Sequence, residues 1–420
     1  MRYAGDGSNL GAVGAYPTPR TRLPPSALWE PAGGHTPVPR EAARQMQLLA
    51  PASAKPGMPA DVSHRLRPLC AHLAGITAHH PAGGDDDDAV AVRQSLGLTA
   101  GQLAEYEREG VTILRGVLRS HELSELREEV GRILDRAPTS NGAVVDQLGG
   151  SCLGEPAWWQ FAPALRGEMN HAAQSELRQA ARKAAWHKTG PGEAEWPVKV
   201  SNWMTFSEPG VRLYGHPQLL AAAQAINGAD FVPFSESLVV KHAGHGAALA
   251  WHQDGKVHWA DGSEAEHGFN FMVNLYDCNT ANALWVLPRS HRRGKIEVAE
   301  LVQPDSTVAL AGCPPPVPVL CKAGDVAIVN RNAVHGSYAN ASPTPRHTFI
   351  FGFHKRSAVE GVHEVGSIET RRKIIPLAIG CRAAHYPNER PFMPLAAGGK
   401  LEWGGLEAHS ELLKTKGLGL

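Results

Sequence analysis

Two histidines and one aspartate have the residue types and the spacing of a metal-binding set. His252 and Asp254 lie two positions apart in the segment WHQDG, and His335 follows far downstream in the segment VHGS. Because successive side chains of a β-strand point to opposite faces, His252 and Asp254 should share one face while Gln253 lies on the other. Two neutral imidazoles and one carboxylate suit a borderline divalent ion, so these residues predict a metal site.

The stretch before His335 predicts where this histidine lies. Residues 323–330 combine a Gly-Asp turn with a buried apolar strand, and we expect His335 where that strand leaves its sheet. A His-X-Asp pair alone is a weak signal, because most such pairs are surface residues or satisfied polar pairs. With the second histidine, the set matches the two-histidine, one-carboxylate triad of non-haem iron(II) oxygenases, which leaves ligand positions open on the ion.

A strand with two different faces follows the second histidine. Residues 346–354 alternate, so that Arg346 and Thr348 share one face and three phenylalanines share the other. Those phenylalanines are Phe349, Phe351 and Phe353. A guanidinium group can bind a carboxylate through two hydrogen bonds, and a nearby hydroxyl can add another. The pattern therefore predicts a cosubstrate whose carboxylate is held by Arg346 and Thr348 while its other end reaches the metal.

Taken together, the motifs resemble those of the phytanoyl-CoA dioxygenase (PhyH) family of iron(II)/2-oxoglutarate oxygenases. The motifs that carry the resemblance are WHQDG (251–255), NLYDCNTANALWVLPRSHRRG (274–294), KAGDVAIVNRNAVHGSYAN (322–340) and Arg346. The similarity extends over about residues 96–355. It implies a mainly β fold with flanking helices, whose core is a double-stranded β-helix of the jelly-roll or cupin-like type. It also implies that His252, Asp254 and His335 hold iron(II) in the mouth of that core.

The resemblance further implies that 2-oxoglutarate and O2 are cosubstrates. Arg346 would bind the distal carboxylate of 2-oxoglutarate with help from Ser337. Lys241 stands where the family has a lysine near the cosubstrate, which makes it a second candidate. The alternative interpretation of Lys241 is an edge-strand lysine whose charged end reaches solvent.

Two turns depart from the family pattern. Ala283 follows Asn282 where the family often has glycine, and Arg289 replaces a glycine after Pro288. We expect these substitutions to affect local turn geometry and to leave the metal ligands unchanged.

Two further residues are candidates for contacts inside the pocket. Residues 269–277 alternate between apolar and polar side chains, and Asn274 lies on the polar face, which suits a hydrated cosubstrate pocket. The loop at 256–268 is polar, and a loop over the mouth of a barrel is where substrate contacts are usually found. Trp259 in this loop is therefore predicted to contact the substrate.

Length and composition predict one catalytic domain with extensions. The chain has 420 residues, of which 43% are hydrophobic, and this is enough for a substantial core. We expect the dioxygenase domain at 96–356, with a helical insertion at about 138–230 and a C-terminal extension at 357–420. Residues 1–95 are rich in Pro, Gly and Ala and are expected to be partly disordered.

Charge and cysteine usage argue against several classes of protein. Lys plus Arg and Asp plus Glu number 41 each, so the formal net charge is +0 and no basic surface for nucleic acid is predicted. We see neither a signal peptide nor an apolar run long enough to cross a membrane. The six cysteines lack a CxxC pair, which is typical of a reducing compartment. We expect a soluble cytoplasmic protein that acts on a small molecule, and the sequence predicts no particular oligomeric state.

The hypothesis that combines these features is a dioxygenase that hydroxylates an unactivated C–H bond of a small organic substrate, with succinate and CO2 as co-products. Asp254 favours hydroxylation, because related halogenases replace this carboxylate with a small residue. Desaturation and ring formation begin with the same hydrogen abstraction and stay open. A 2-oxoglutarate-independent, cupin-like metalloenzyme would need the metal ligands but not Arg346. A catalytically inactive metal-binding or interaction module is the third interpretation.

Overall fold

The computed structural model describes most of the chain from residue 97 onward. The described residues are 97–135, 137, 158–163, 195–244, 246, 248–254, 268–303, 307–340, 342–359, 367–394, 399 and 401–413. The predictions for the extension at 1–95 and for Trp259 lie outside these residues.

Eleven strands in the described part of the chain form two antiparallel sheets. In chain order they are β1 (Val111–Leu114), β2 (Trp158–Pro163), β3 (Glu195–Ser201), β4 (Phe231–Lys241), β5 (Leu249–His252), β6 (Phe269–Asn274), β7 (Leu284–Val286), β8 (Val317–Val319), β9 (Val326–Asn330), β10 (His335–Ser337) and β11 (Arg346–Lys355). The larger sheet has seven strands in the order β1-β9-β6-β11-β4-β3-β2, and the smaller sheet has four in the order β5-β10-β7-β8.

The two sheets face each other across an apolar layer. Met272 and Ala327 of the larger sheet pack there with Val286 and Val319 of the smaller one. A strand can contribute to this layer with every second residue only, so its remaining side chains face outward. Two antiparallel sheets packed in this way form a jelly roll, and the predicted double-stranded β-helix fold is confirmed.

Helices cover the outer face of the larger sheet. The described helices are α1 (Ala100–Glu109), α2 (Ser120–Asp135), α3 (Glu208–Tyr214), α4 (Pro217–Asn227), α5 (Arg356–Val359), α6 (Ser367–His385) and α7 (Ser410–Leu413). The rings of Trp203 and Tyr214 lie 6.2 and 4.6 Å, centroid to centroid, from that of Phe351 in β11. None of these described helices combines the length and the apolar character that a membrane crossing requires.

The two faces of β11 lie in different environments, as their alternation predicts. Its three phenylalanines are fully buried in the core beneath the helices. Ile350, on the other face, packs in the layer between the sheets. Arg346 and Thr348 share the face of Ile350 and are 3% exposed each. The strand therefore separates a stabilising aromatic face from a polar face that points into the barrel.

The segment predicted as a helical insertion also contains strands. β2 pairs with β3, and β3 pairs with β4, so both extend the larger sheet beyond β4. The described part of this segment therefore contains two strands as well as the helices α3 (Glu208–Tyr214) and α4 (Pro217–Asn227). Val198 and Val200 in β3 are both buried and lie two residues apart, which is the period of a strand.

The predicted C-terminal extension does not stand apart from the catalytic domain. Helix α6 packs against β4 and α3, and its Ile375, Leu377 and Ile379 belong to the same buried cluster as the phenylalanines of β11. Arg382 of α6 also forms a buried ion pair with Glu122 of α2 at 2.7 Å. Residues 367–385 are thus part of the core, because they complete the helical cover of the larger sheet.

Candidate metal centre

Two side chains of the smaller sheet and one just beyond it lie close together. His252 ends β5, His335 begins β10, and these two residues lie directly opposite each other in the antiparallel pair. Asp254 follows β5 by two residues. Its carboxylate oxygens lie 3.3 Å from Nε2 of His252 and 3.6 Å from Nε2 of His335. One ligand atom from each of the three residues falls within 4.8 Å of the others, so the predicted metal ligands lie together.

The location of His335 differs in one respect from the prediction. The strand before it, β9, belongs to the larger sheet, whereas His335 starts the short strand β10 in the middle of the smaller sheet. The chain crosses between sheets at residues 331–334. A strand of three residues is too short to show a period of two, so side-chain alternation could not predict β10.

Backbone carbonyls orient both imidazoles. Nδ1 of His252 lies 2.7 Å from the carbonyl oxygen of Ala250, and Nδ1 of His335 lies 2.9 Å from that of Ala333. A carbonyl can only accept, so in each neutral ring Nδ1 carries the proton and Nε2 keeps a lone pair. The Nε2 atoms are the ones that face Asp254, which is the arrangement that a divalent metal requires.

The charge states of Asp254 and His335 also suit a metal. Burial opposes ionisation of Asp254, but His335, His252 and Arg331 outweigh it and hold the pKa of this carboxyl well below its ordinary value. Burial, together with the neighbouring His252, lowers the pKa of His335 to about 4. At neutral pH the site therefore offers a carboxylate and a neutral imidazole, as metal ligation needs.

Gln253 faces away from the metal ligands, as the alternation predicts. Its Nε2 donates to the carbonyl oxygens of Asn332 at 2.6 Å and Gly294 at 3.0 Å. Its Oε1 accepts from the N–H of Ile296 at 2.9 Å. These bonds tie the ligand segment to two other loops and limit its movement.

The larger sheet brings together four of the residues predicted to bind the cosubstrate. Arg346 pairs with Lys241 across β11 and β4, and Thr348 pairs with Asn274 across β11 and β6. Directly opposite residues share a face, so the four side chains line one side of the barrel interior. The hydroxyl of Thr348 donates to Oδ1 of Asn274 at 3.2 Å, which fixes both groups.

Arg346 and Ser337 are buried donors with unused capacity. Nη1 of Arg346 donates to the carbonyl oxygen of Asn282 at 2.9 Å, while its Nε is buried and has no hydrogen-bond partner among the described residues. The hydroxyl of Ser337 is fully buried and likewise lacks a partner within the described part of the chain. Buried polar groups are normally paired, so these two donors fit a carboxylate ligand.

Lys241 is an interior residue, which rules out the solvent-reaching interpretation. Strand β4 lies between β11 and β3, and Lys241 is 1% exposed. Its Nζ donates to the carbonyl oxygen of Tyr338 at 2.5 Å. Burial, and then the charge of Arg346 opposite, hold the pKa of Lys241 well below its ordinary value. A nearby carboxylate would stabilise the charged form of this lysine.

Comparison with known proteins identifies the family. The model of the phytanoyl-CoA dioxygenase (PhyH) family matches residues 106–348, more than half of the chain. The chain belongs to the PhyH family. The resemblance inferred from the motifs is therefore confirmed, and the matched region contains the three clustered candidate ligands and Arg346.

The curated relatives of this PhyH-family chain include two ectoine dioxygenases. That of Bordetella parapertussis is 31% identical over 153 residues, which cover 32% of this chain and 50% of the relative. That of Bordetella bronchiseptica is 30% identical over 153 residues with the same coverage. The chain spans about half the length of the curated relatives it matches.

Solved structures similar to this PhyH-family chain include EctD from S. alaskensis with bound Fe. It is 19% identical, with 66% of this chain and 81% of that chain covered and a TM-score of 0.42. The non-heme alpha ketoglutarate dependent epimerase SnoN from nogalamycin biosynthesis is 20% identical, with 64% and 82% covered and a TM-score of 0.40.

Arg289, which replaces a glycine of the PhyH pattern, adopts the backbone conformation that favours glycine. Arg289 has a φ of 66°, in the left-handed region, and precedes a short 3-10 turn. Its guanidinium contacts the carboxylate of Glu109 at 3.1 and 3.2 Å, and its N–H donates to the Glu109 carbonyl oxygen. The substitution thus affects the turn as predicted: Arg289 adopts a strained backbone conformation, and its contacts with Glu109 of α1 hold it there.

Two residues around Asp254 were not found from the sequence. Nδ2 of Asn270 donates to Oδ2 of Asp254 at 2.8 Å, and Nη1 of Arg331 donates to Oδ1 of Asn270 at 2.9 Å. Asn270 shares the polar face of β6 with Asn274, which was the available signal for it. Arg331 follows β9 in an irregular segment, where no periodicity indicates a direction.

Proposed function

We propose that this chain is an iron(II)/2-oxoglutarate-dependent dioxygenase that hydroxylates an unactivated C–H bond of a small organic substrate. The observation that carries the proposal is the joint presence of the histidine-aspartate-histidine cluster and of a buried guanidinium with unused donors in one barrel. Family membership supports the same class of reaction. The domain proposed to carry it is residues 96–356, together with the packed helix α6.

In this proposal, His252, Asp254 and His335 hold iron(II) through two Nε2 atoms and a carboxylate oxygen. The donor set fits the ion, because two imidazoles and one carboxylate suit divalent iron. When bound, iron(II) with 2-oxoglutarate and O2 supplies the oxidising power that couples cosubstrate decarboxylation, to succinate and CO2, to substrate hydroxylation. The chain's own contribution is to direct both Nε2 atoms toward the ion and to keep the carboxylate ionised.

Arg346 is proposed to bind the distal carboxylate of 2-oxoglutarate. Two parallel N–H donors match the two oxygens of a carboxylate, and burial makes such a pair stronger than it would be in water. Ser337 and Lys241 would add donors from two other strands. Thr348 would donate its one hydroxyl proton to the same carboxylate in place of Oδ1 of Asn274, which accepts that proton here.

The carboxylate of Asp254 bears on the outcome of the reaction. In related halogenases a small residue replaces the carboxylate and leaves a ligand position for chloride. Asp254 retains the carboxylate, so hydroxylation is favoured over halogenation. Trp259 is proposed to contact the substrate. The partial match to ectoine dioxygenases makes ectoine one compound to include among candidate substrates.

The rival within enzymes is a metalloenzyme that does not use 2-oxoglutarate. That rival gives no reason for a buried guanidinium with unused donors, because an unpaired buried cation is costly. The rival outside enzymes is a metal-binding module without turnover, which would retain the three ligands and release no succinate.

The test is succinate release by the purified chain with iron(II), 2-oxoglutarate and a panel of small molecules. We expect activity to be lost in His335→Ala together with metal binding. In Arg346→Ala, metal binding should persist while the KM for 2-oxoglutarate rises about 100-fold or more, because two charge-assisted hydrogen bonds are lost. The control is Arg212→Ala, which removes a buried arginine that pairs with Glu125 in the helical layer.

Each alternative has its own outcome. An unchanged KM in Arg346→Ala contradicts the cosubstrate assignment and favours the 2-oxoglutarate-independent enzyme. Metal binding without succinate release for any compound, including uncoupled turnover, favours the inactive module.

A further inference from the structure

Arg331 is linked to Asp254 by two direct hydrogen bonds and by a third connection through Asn270. Its carbonyl oxygen accepts from the Asp254 N–H at 2.9 Å, and its Nη2 donates to the Asp254 carbonyl oxygen at 3.1 Å. Its Nη1 donates to Oδ1 of Asn270, whose Nδ2 in turn donates to the Asp254 carboxylate. Arg331 and Asn270 are 1% and 2% exposed, so these bonds do not compete with solvent.

The guanidinium determines which way the Asn270 amide points. An amide has one accepting end and one donating end, and either end can face a given neighbour. A guanidinium has donors only, so it must face the amide oxygen. The NH2 group of Asn270 is thereby directed at Oδ2 of Asp254, while Oδ1 is the oxygen 3.3 Å from His252.

The amide also separates a positive charge from the metal ligand. A direct ion pair between Arg331 and the carboxylate would occupy the oxygens that a metal needs and would partly neutralise them. Through Asn270, the guanidinium orients the Asp254 carboxylate, while the Asn270 amide keeps its positive charge apart from the carboxylate oxygens. Cζ of the Arg331 guanidinium lies 4.7 Å from the ring centroid of Phe234, a cation-π contact that partly offsets its burial.

We propose that Arg331 and Asn270 are positioning residues that hold the Asp254 carboxylate in the orientation required for metal binding. This inference rests on the metal site of the proposed function and goes beyond it, because neither residue is a ligand of the ion. Loss of a residue that hydrogen-bonds to a metal ligand without binding the ion typically weakens metal affinity by about 10- to 100-fold.

The test is the affinity of the full-length chain for Co(II), and for Fe(II) under anaerobic conditions, without 2-oxoglutarate. Asn270→Ala and Arg331→Lys should each raise the Kd about 10- to 100-fold. The double variant should weaken binding little more than the worse single variant, because both residues act through one carboxylate. The visible spectrum of bound Co(II) should change in the variants.

Arg331→Met separates positioning from charge. If the guanidinium acted only by repelling the metal, its removal would tighten binding; positioning requires that binding weaken. Arg371→Met is the matched control, because Arg371 is also fully buried near the Phe234 ring, but its guanidinium donates to the carbonyl oxygens of Pro233 and Phe234. This control should lower the melting temperature and leave the Kd of the folded protein within about twofold of wild type.

The outcomes distinguish this inference from the proposed function. Wild-type affinity in Arg331→Lys and Asn270→Ala overturns the inference, as does equal weakening in Arg371→Met. If the variants bind metal weakly but the wild type releases no succinate, the inference stands and the proposed reaction fails. A wild-type chain that binds neither ion overturns both.

Discussion

Glu236 is a buried acid in β4 whose ionisation should cost the fold stability. It is 3% exposed and lies directly opposite Phe351 of β11. Its Oε2 accepts from the N–H of Met204 at 3.2 Å, whereas Oε1 has no hydrogen-bond partner among the described residues. Burial outweighs that hydrogen bond and the charge of Arg371 and raises the pKa of Glu236 from 4.5 to about 8.

The direction of the effect follows from this pKa. Below pH 4.5 both the folded and the unfolded chain carry the proton, and the stability associated with the neutral acid is fully present. As the pH rises from 4.5 to about 8, the unfolded chain releases the proton and the folded chain keeps it, so unfolding is progressively favoured. The loss is about 1.4 kcal/mol per pH unit and reaches roughly 3 kcal/mol near pH 7.

Glu236→Gln should remove this penalty. Glutamine keeps an oxygen for the Met204 N–H and cannot ionise, so we expect the variant to be about 3 kcal/mol more stable near pH 7 and nearly equal to wild type near pH 4.5. The measurement is urea unfolding of both proteins in parallel at several pH values between these limits. Titrating groups that do not interact with Glu236 cancel in the difference. A difference that stays constant with pH, or that shrinks as the pH rises, would refute the linkage.

Three other substitutions test separate parts of the structure. Ser337→Ala should raise the KM for 2-oxoglutarate about fivefold. Because it removes a buried hydroxyl without a hydrogen-bond partner among the described residues, the melting temperature of the unliganded chain should be equal or higher, and a lower melting temperature would contradict the absence of a partner. Arg289→Gly should be about 1 kcal/mol more stable than Arg289→Ala in urea unfolding, because only glycine relieves the positive φ. Phe351→Ala should cost about 3–5 kcal/mol in the same assay, since its ring contacts Trp203 and Tyr214 in a fully buried cluster, and a cost below about 1 kcal/mol would contradict that packing.

The clustering of the candidate metal ligands and the two faces of β11 could be predicted because their signals are local. Side-chain alternation within a strand needs only the strand itself, and it placed His252 and Gln253 on opposite faces. The same alternation separated Arg346 from the aromatic face of β11. The resemblance to a family then supplied the fold class, which alternation alone cannot give.

Other features lack any local signal. Helix α6 is buried on many sides and contains Pro376, so it shows no single apolar stripe and a residue that normally interrupts helices. β8 and β10 have three residues each, too few for a recognisable period. Asn270 and Arg331 meet only because β6 and β9 are neighbours in the folded sheet.

An irregularity in β4 connects the helical core to the support of the metal ligands. Between the pairs Phe351–Glu236 and Phe353–Pro233 the register shifts, because β4 contains one residue more than β11. One extra residue reverses which face each later side chain takes. Leu238, beyond the shift, packs in the core with the helices, whereas Phe234 turns its ring toward Arg331. A regular strand would direct this aromatic ring to the other face and leave the buried guanidinium without the surface that partly offsets its desolvation. The bulge is therefore what gives the buried guanidinium of Arg331 its aromatic neighbour.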